Sequence, residues 1–563
     1  MTARDMGVCC MCARGKTEKG PKHSVLSAQA VRLRDFARDD SGAMAAPTIF
    51  FFLAMLAIGG IGIDLMRMER DRTILQYTLD RAVLAAADLD QPLSPALVVQ
   101  DYLSKAGLDE YYQPPIVEQG LGYKKVESTI NTTFDTHMLE FSGGANMPLH
   151  ANARAEESID GLEISLVLDV SGSMNSNSRL TNLKVAAKDF IDTMVANTTD
   201  GKMSVSIVPY ATQVSIPDEL AEQYNIDRPQ TYANCVNFQS DHFDTTALST
   251  TEALQGSMLF SPWSGSDYRS SGTLINQEVC SHDEDREVLL FEKNATTLKN
   301  FIQSLTAWGN TSIDVGMKWG TALLDPSARP AINALATGAD TIVPSDFSAR
   351  PAEYNDFETI KVIVLMTDGQ NTSQYYMNED YRSGATGVWY NPEQGVYSTY
   401  DPHNNRYYWH NRGIWMDHPY GASPGTEYCY QWYYGSCRRT ATEGGTVAEL
   451  NFGDLYAYTS VKSVYYMFSN AMGRSYARTY WYNYVYSSYG NSTKNARTRA
   501  ICQAAKDQGI IVYTIGFEAP SDGVAVLQDC ASSDAHYFDV DGLEISDAFA
   551  SIATSIRQLR LTQ

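Results

Sequence analysis

The stretch Leu162-Glu163-Ile164-Ser165-Leu166-Val167-Leu168-Asp169-Val170-Ser171-Gly172-Ser173-Met174 joins a short apolar run to a carboxylate and two hydroxyls at alternate positions. The run is dense in strand formers and reads as a strand buried on both faces, as strands of parallel sheets are. Leu180 to Val195 then carries the spacing of an amphipathic helix. A buried strand, a polar turn and a helix in that order predict an α/β fold. Open α/β sheets bind their ligands at the carboxyl ends of the strands, where Asp169 stands. The alternation in Asp-x-Ser-x-Ser turns three oxygens to one side of an extended turn.

Two more segments extend this reading. Gly309-Asn310-Thr311-Ser312-Ile313-Asp314-Val315-Gly316 opens a helix after a loop and supplies a threonine hydroxyl. Val362-Ile363-Val364-Leu365-Met366-Thr367-Asp368-Gly369 is a second buried strand ending in a carboxylate. The combined set is two carboxylates and three hydroxyls. Hard ions such as Mg²⁺, Ca²⁺ or Mn²⁺ take oxygen ligands, whereas Zn²⁺ sites are usually built on His and Cys. Few protein ligands favour Mg²⁺, which keeps waters and leaves a position for an incoming group. Ordinary helix-capping Ser and Asp residues are the alternative explanation. The pattern resembles the metal-ion-dependent adhesion site of the von Willebrand factor A family: Asp-x-Ser-x-Ser, a distant Thr and a distant Asp. That resemblance implies Asp169, Ser171, Ser173, Thr311 and Asp368 as ligands of one divalent cation. It also implies a Rossmann-like, doubly wound, mostly parallel sheet, continued by a helix over Thr498–Asp507, a strand over Gly509–Phe517, a last strand at His536–Val540 and a last helix from Ile545 to Leu559.

Nearer the N-terminus, Ala43 to Ile63 is 21 residues without a charge. At about 1.5 Å per residue it crosses a hydrocarbon core of about 30 Å. Apolar residues occupy every face, which disfavours a buried globular helix. No small-x-small cleavage site follows, which disfavours a cleaved secretory signal, so an uncleaved signal-anchor is expected. Arg32, Arg34 and Arg38 precede the span and Arg67, Arg70 and Arg72 follow it, so charge near the span is balanced. Lys16, Lys19 and Lys22 upstream, with the cysteine usage downstream, favour the N-terminus inside and the C-terminus outside. Past the span, Met68, Leu75, Leu79, Ala82 and Ala86 form one apolar seam that ends at Gln91-Pro92. Such a seam packs either against other helices, as in pilins, or against the chain's own outer domain.

Arg38-Asp39-Asp40-Ser41-Gly42-Ala43-Met44-Ala45, the span, Gly62-Ile63-Asp64-Leu65, Leu75-Gln76 and Asp80-x-Ala82-x-Leu84-Ala85-Ala86-Ala87 resemble the N-terminal segment of TadG-like proteins of the tight-adherence (Flp) pilus assembly system. The resemblance implies a bacterial envelope and a type IVb pilus machine. The segment departs from prepilins in placing Pro47 where a glutamate would stand, five residues after Gly42.

Six cysteines follow the span: Cys235, Cys280, Cys429, Cys437, Cys502 and Cys530. An even number fits an oxidising compartment, and six allow 15 pairings. Sequence neighbourhood favours Cys235–Cys280, Cys429–Cys437 and Cys502–Cys530. Cys9, Cys10 and Cys12 precede the span without a second half to complete a metal site, and read as part of a solvated tail. Between Ser373 and about Asn495 lie 23 of the 35 tyrosines and five of the eight tryptophans. Such rings give contact area at low entropic cost, so they build either a binding surface or a compact loop core of their own. The segment leaves the sheet at its carboxyl edge and should rise beside the cation. A polar insertion at about Thr212–Glu292 carries Cys235 and Cys280.

The net charge of −23 excludes a nucleic-acid binder, which needs a basic stripe to displace counterions. No His-Glu-x-x-His, Gly-x-Ser-x-Gly or Gly-x4-Gly-Lys-Ser/Thr motif occurs, and a binding protein is expected rather than an enzyme. The expected layout is a cytoplasmic tail (1–42), a transmembrane helix (43–63) continuing to about 90, a small helix with a β-rich segment (91–160), and an α/β domain (161–563). Its insertions fall at about 212–292 and 373–495. The expected function is pilus assembly or anchoring at the bacterial inner membrane, through a cation that binds an acidic residue of a protein partner. A surface adhesin acting without a pilus and a metal-dependent hydrolase are the alternatives.

Overall fold

The computed structural model describes residues 44–88, 91–120, 123–141, 146–158, 161–339, 341–356 and 358–559. The tail with Cys9, Cys10, Cys12 and its basic residues lies outside them. The chain forms two compact units. One takes in residues up to Val83, Ala96–Pro115 and Glu127–Ala153; the other takes in Leu84–Pro95, Ile116–Val126 and Arg154–Gln563.

One helix, α1 (Ala45–Ala87), runs unbroken for 43 residues. Among the described residues it alone is long and apolar enough to cross a membrane, by length and composition. Its first part exposes Phe50, Phe51, Phe52, Leu53, Met55 and Ile58 on all sides. Farther along, burial becomes one-sided: Leu75, Leu79, Ala82, Val83 and Ala86 are buried, while Met66, Tyr77 and Leu84 are exposed. The seam is thus tight from Leu75 on, and Met68 is only half-buried. Of the two expected packings, the structure contains the one against the chain itself. Gln76 donates to Asn152 O at 2.7 Å and accepts from Asn152 N at 3.2 Å. Asp64, buried on the same helix, accepts the backbone N–H groups of Met138 and Leu139 at 2.6 and 2.8 Å. Helix α2 (Pro95–Lys105) follows, then strands β1 (Ile116–Gly120), β2 (Tyr123–Phe134) and β3 (Met147–Ser158), which form a three-stranded sheet in that order.

The larger unit is built on a six-stranded sheet. Strand β4 (Gly161–Asp169) leads through α3 (Arg179–Ala196) to β5 (Met203–Tyr210). After the first insertion come β6 (Leu289–Glu292), α4 (Ala295–Ser304), α5 (Ile313–Ala322), α6 (Arg329–Thr337) and β7 (Thr359–Thr367). The second insertion precedes α7 (Asn491–Asp507), β8 (Ile511–Phe517), α8 (Ser521–Cys530), β9 (Tyr537–Val540) and α9 (Ile545–Leu559). The sheet order is β9-β8-β7-β4-β5-β6. Every pairing is parallel except that of β5 with β6.

All nine residues of β4 are buried, and their alternation divides the core in two. Leu162, Ile164, Leu166 and Leu168 point to a cluster filled from α3, α4 and α9. Val167 points to the other face, filled from α5, α6, α7 and α8. Helix α5 approaches closely because it carries glycine where it meets the sheet. A Cβ on Gly316 would come within 2.8 Å of the Tyr210 ring, and one on Gly320 within 2.5 Å of Val167.

The first insertion differs from expectation. Its end, Leu289–Glu292, belongs to the sheet as its antiparallel edge strand. Its polar composition conceals Val214, Ile216, Tyr224, Phe238, Phe243 and Leu254, which join the core around Trp319 of α5. Lys318 of α5 is buried beneath it and donates to Thr245 O and Ala247 O, both at 2.8 Å. Cys235 and Cys280 are joined as a disulfide, as are Cys429 with Cys437 and Cys502 with Cys530.

The second insertion holds a five-stranded antiparallel sheet over Ala385–Asn451 and a hairpin, Glu427–Tyr433 with Ser436–Thr442, closed by Cys429–Cys437. Most of its rings pack on each other. Trp409 is fully buried against Tyr420 and Tyr428, and Trp481 stacks on Phe468 with centroids 3.8 Å apart. Trp432, Tyr433 and Tyr434 at the hairpin tip remain exposed.

Candidate metal centre

Two neighbouring strands end together at the site. β4 and β7 are in parallel register, with Leu168 opposite Met366, so Asp169 faces Thr367 and Asp368 follows. The Thr367 hydroxyl donates to Asp169 Oδ2 at 2.6 Å. The other carboxylate oxygen, Oδ1, accepts the Ser171 N–H at 2.8 Å, which bends the chain back over the strand end. That turn brings the two serine hydroxyls within 3.0 Å of each other, and Ser173 Oγ donates to Asp368 Oδ1 at 2.7 Å. Four of the five expected residues therefore form one continuous hydrogen-bonded group. Asp169, Ser171 and Asp368 are almost wholly buried.

The fifth, Thr311, arrives on a separate loop. Gly309 begins it at φ +91°, a left-handed conformation, and a Cβ there would meet Thr212 Oγ1 at 2.9 Å. Gly172 N donates to Gly309 O at 3.0 Å and ties this loop to the serine turn. Thr311 N donates to Thr372 Oγ1, and Thr372 N returns a bond to Thr311 O. A Cβ on Gly369 would lie 3.8 Å from Thr311 Oγ1, which places that hydroxyl beside the Asp368 turn.

Residues that the sequence did not single out hold these loops. Lys494, fully buried on α7, donates to Thr311 O, Ser312 Oγ and Thr372 O at 2.6–2.7 Å. Burial lowers its pKa to about 8. Arg286 lies over the Trp308 ring and donates to Val170 O and Trp308 O, joining the turn after β4 to the segment before Thr311. Burial lowers it to about 10. Arg179, the first residue of α3, donates to Asp368 Oδ2 at 2.8 Å and to Glu518. Thr367 and Arg179 lie next to the motifs at Asp368 and Ser173, but only strand register and the fold give them partners; Arg286 and Lys494 come from other segments without spacing to mark them.

The donor set fits a hard divalent ion. It is all oxygen, and burial, reinforced by the Asp368 carboxylate, raises the Asp169 pKa, disfavouring a charge that a bound cation would stabilise. Among the described residues no group of three or more His, Cys, Asp and Glu gathers as a ligand set. A cation here would rely on two carboxylates and on Ser171, Ser173 and Thr311.

Fold and site together define a mixed α/β unit with clustered carboxylates and hydroxyls at the carboxyl edge of its sheet, in a chain that also carries an apolar N-terminal helix. Residues 42–89, which take in that helix, match the family model for putative Flp pilus-assembly TadE/G-like proteins. A comparison with curated proteins finds no match. Among solved structures, the chain is similar to the vWF domain of the type V pili tip protein Mfa5 from Porphyromonas gingivalis, at 15% identity and TM-score 0.30, covering 71% of this chain and 95% of that one. It is similar also to the pilus adhesin SpaC from Lactobacillus rhamnosus GG, at 12% identity and TM-score 0.28, covering 79% of this chain and 33% of that one. The PilB minor pilin from Streptococcus sanguinis gives 12% and 0.28, covering 88% of this chain and 99% of that one. At such scores no property of those proteins passes to this chain.

Proposed function

We propose that this chain is a single-span envelope protein whose larger unit is a von Willebrand A-type domain, doubly wound, working as a cation-dependent binding module in Flp pilus assembly, anchoring or adhesion rather than as an enzyme. The N-terminal tail (1–42) stays in the cytoplasm, the span (43–63) anchors the chain in the inner membrane, and everything beyond it lies outside the cytoplasm. The segment 91–160 links the span to the binding domain, 161–563. Asp169, Ser171, Ser173, Thr311 and Asp368 hold one divalent ion, Mg²⁺ in preference to Ca²⁺ or Mn²⁺, and a carboxylate of a protein partner completes its coordination. With no more than two carboxylates among its protein groups and a coordination position left to water, such an ion can take an acidic oxygen from outside. The reading is carried by the convergence of buried Asp169, Ser171 and Asp368 with exposed Ser173 in one hydrogen-bonded group at the carboxyl edge of two adjacent parallel strands.

Calorimetric titration of the detergent-purified full chain with Mg²⁺, Mn²⁺ and Ca²⁺ tests it. Asp368→Ala should weaken binding by roughly a hundredfold or more, because a charge and an oxygen are lost together. Its far-ultraviolet circular dichroism should match wild type, since β7 beneath Asp368 is separately buried. Equal, weak binding by wild type and Asp368→Ala would sink the metal reading.

A further inference from the structure

Arg179 stands between two carboxylates that belong to different loops. Its Nη1 donates to Asp368 Oδ2 at 2.8 Å, and its Nε and Nη2 reach Glu518 Oε2 at 2.9 and 2.8 Å. Its side chain is 15% exposed, and that of Asp368 is wholly buried. The position is built by the surrounding backbone. Asn177 and Ser178 both take left-handed φ values, +52° and +58°, immediately before α3, and Glu518 does so at +53°. Asn177 Nδ2 also donates to Glu518 Oε2 at 3.0 Å. Left-handed backbone at three non-glycine residues around one guanidinium marks a conformation that the surroundings enforce.

The consequence concerns the charge of the site. One oxygen of Asp368 is occupied by Ser173 and the other by Arg179. A divalent ion drawing on Asp368 therefore meets a guanidinium already paired with it, and like charges at that range repel. Glu518 offers the guanidinium a second carboxylate of its own, already in contact. Arg is suited to this exchange because its planar fork serves two acceptors at once.

We propose that Arg179 is a tethered internal cation that competes with the divalent ion for Asp368, and that Glu518 is the acceptor retaining Arg179 when the ion takes Asp368. Cation affinity is thereby held below what the oxygen ligands alone would give. The inference rests on the metal reading above, and deepens it by adding two residues that tune affinity without being ligands.

The test is Mg²⁺ and Mn²⁺ calorimetry on the detergent-purified full chain, comparing wild type, Arg179→Gln, Arg179→Lys, Glu518→Gln and the Arg179→Gln/Glu518→Gln double variant. Arg179→Gln should bind the ions at least about tenfold more tightly, because a neighbouring positive charge is removed. Arg179→Lys, keeping the charge without the fork, should fall between the two, and serves if the Gln variant does not fold. Glu518→Gln should bind several-fold more weakly than wild type, and that loss should vanish in the double variant, as a double-mutant cycle requires of residues acting through each other. Unchanged or weaker binding by both Arg179 variants overturns the inference, as does a Glu518→Gln effect that persists without Arg179. The metal reading is judged separately, by wild type against Asp368→Ala. Should wild type bind no better than Asp368→Ala, the metal reading falls and this inference with it; clear wild-type binding that both Arg179 variants leave unchanged or weaken overturns this inference alone.

Discussion

The central sheet and the tyrosine-rich insertion bury their residues by different chemistry. In β4 and β7 most of the buried side chains are Leu, Ile, Val and Met, packed between helices on both faces of a parallel sheet, with Glu163 and Lys361 paired among them. In the insertion the buried groups are rings: Trp409 among Tyr420 and Tyr428, and Trp481 among Phe468, Phe452 and Tyr381. The first core fixes strand ends to within hydrogen-bond distance, which a coordination site requires. The second joins short antiparallel strands through ring edges and faces, which suits a large surface feature. At the start and end of the insertion, Asn371 accepts from Ile313 N and donates to Asn495 and Thr498, while Thr372 braces Thr311. The residues flanking the insertion, Thr372 and Lys494, thus hold the Thr311 loop.

Substitution inside each core should show the largest difference. Leu166→Ala in β4 and Trp409→Ala in the insertion each remove a fully buried side chain and should cost about 2–5 kcal/mol. Leu166 lies three residues before Asp169, so its variant should also weaken ion binding. Trp409→Ala should leave ion affinity within about twofold of wild type, because its cluster, built on Val396, Tyr420 and Tyr428, includes none of the five proposed ligands. Hydrogen exchange with calorimetry on the same samples checks both. A Trp409→Ala variant that loses ion affinity would mean that the insertion's body supports the site after all.

The difference between the two cores also explains what the sequence made legible. Strands buried on both faces appear as unbroken apolar runs, so β4, β7 and β8 were readable, and with them Asp169 and Asp368 at their ends. The amphipathic period of α3 and α9 was equally plain. The insertion's strands are three to seven residues long and range from mostly buried to half-buried, with Tyr and Trp among their residues, so period and polarity carry no register there. In the first insertion, Val214, Phe238 and Leu254 reach the core from loops without period, which composition cannot reveal. The Arg179–Asp368 pair joins positions 189 residues apart, and Lys494 lies 183 residues from Thr311. Only the folded chain brings such partners together.

Disulfide removal should separate the regions by a smaller amount. Cys502 and Cys530 close 28 residues between α7 and the end of α8, whereas Cys429 and Cys437 close eight within one hairpin. Loop-closure entropy makes the first bridge worth about 3–4 kcal/mol and the second about 2–3 kcal/mol. Paired Ser substitutions measured by urea titration should show that ranking. The Cys502/Cys530 pair should also lower ion affinity slightly, since α7 carries Lys494. The reverse ranking would mean that the aromatic core depends on its hairpin bridge more than the sheet does on Cys502–Cys530.

The smallest effect is a pH dependence confined to the insertion, where two histidines have opposite signs. Burial lowers His410 to about 4, and its Nε2 lies 2.8 Å from Thr399 Oγ1, with no carboxylate bonded to it among the described residues. Burial opposes the charge on His418 too, but hydrogen bonds to Glu443 and Asp417 outweigh it, and its pKa is raised. For His410 the folded pKa lies below the unfolded value of about 6.5, so its contribution is present above pH ~6.5 and lost as pH falls toward 4. His418 runs the other way: its contribution is present below pH ~6.5 and is lost as pH rises through its raised folded pKa. Because part of the His410 ring reaches solvent, the effect should be only about 1 kcal/mol, well under what the full shift implies. Urea unfolding of wild type, His410→Gln and His418→Gln at pH 5 and pH 7.5 isolates each group, since all other titrations are shared. His410→Gln should lose less stability than wild type on going to pH 5, and His418→Gln should lose more. Parallel pH profiles for all three chains would show that the aromatic core admits enough water to erase the difference between a histidine buried alone and one buried against a carboxylate.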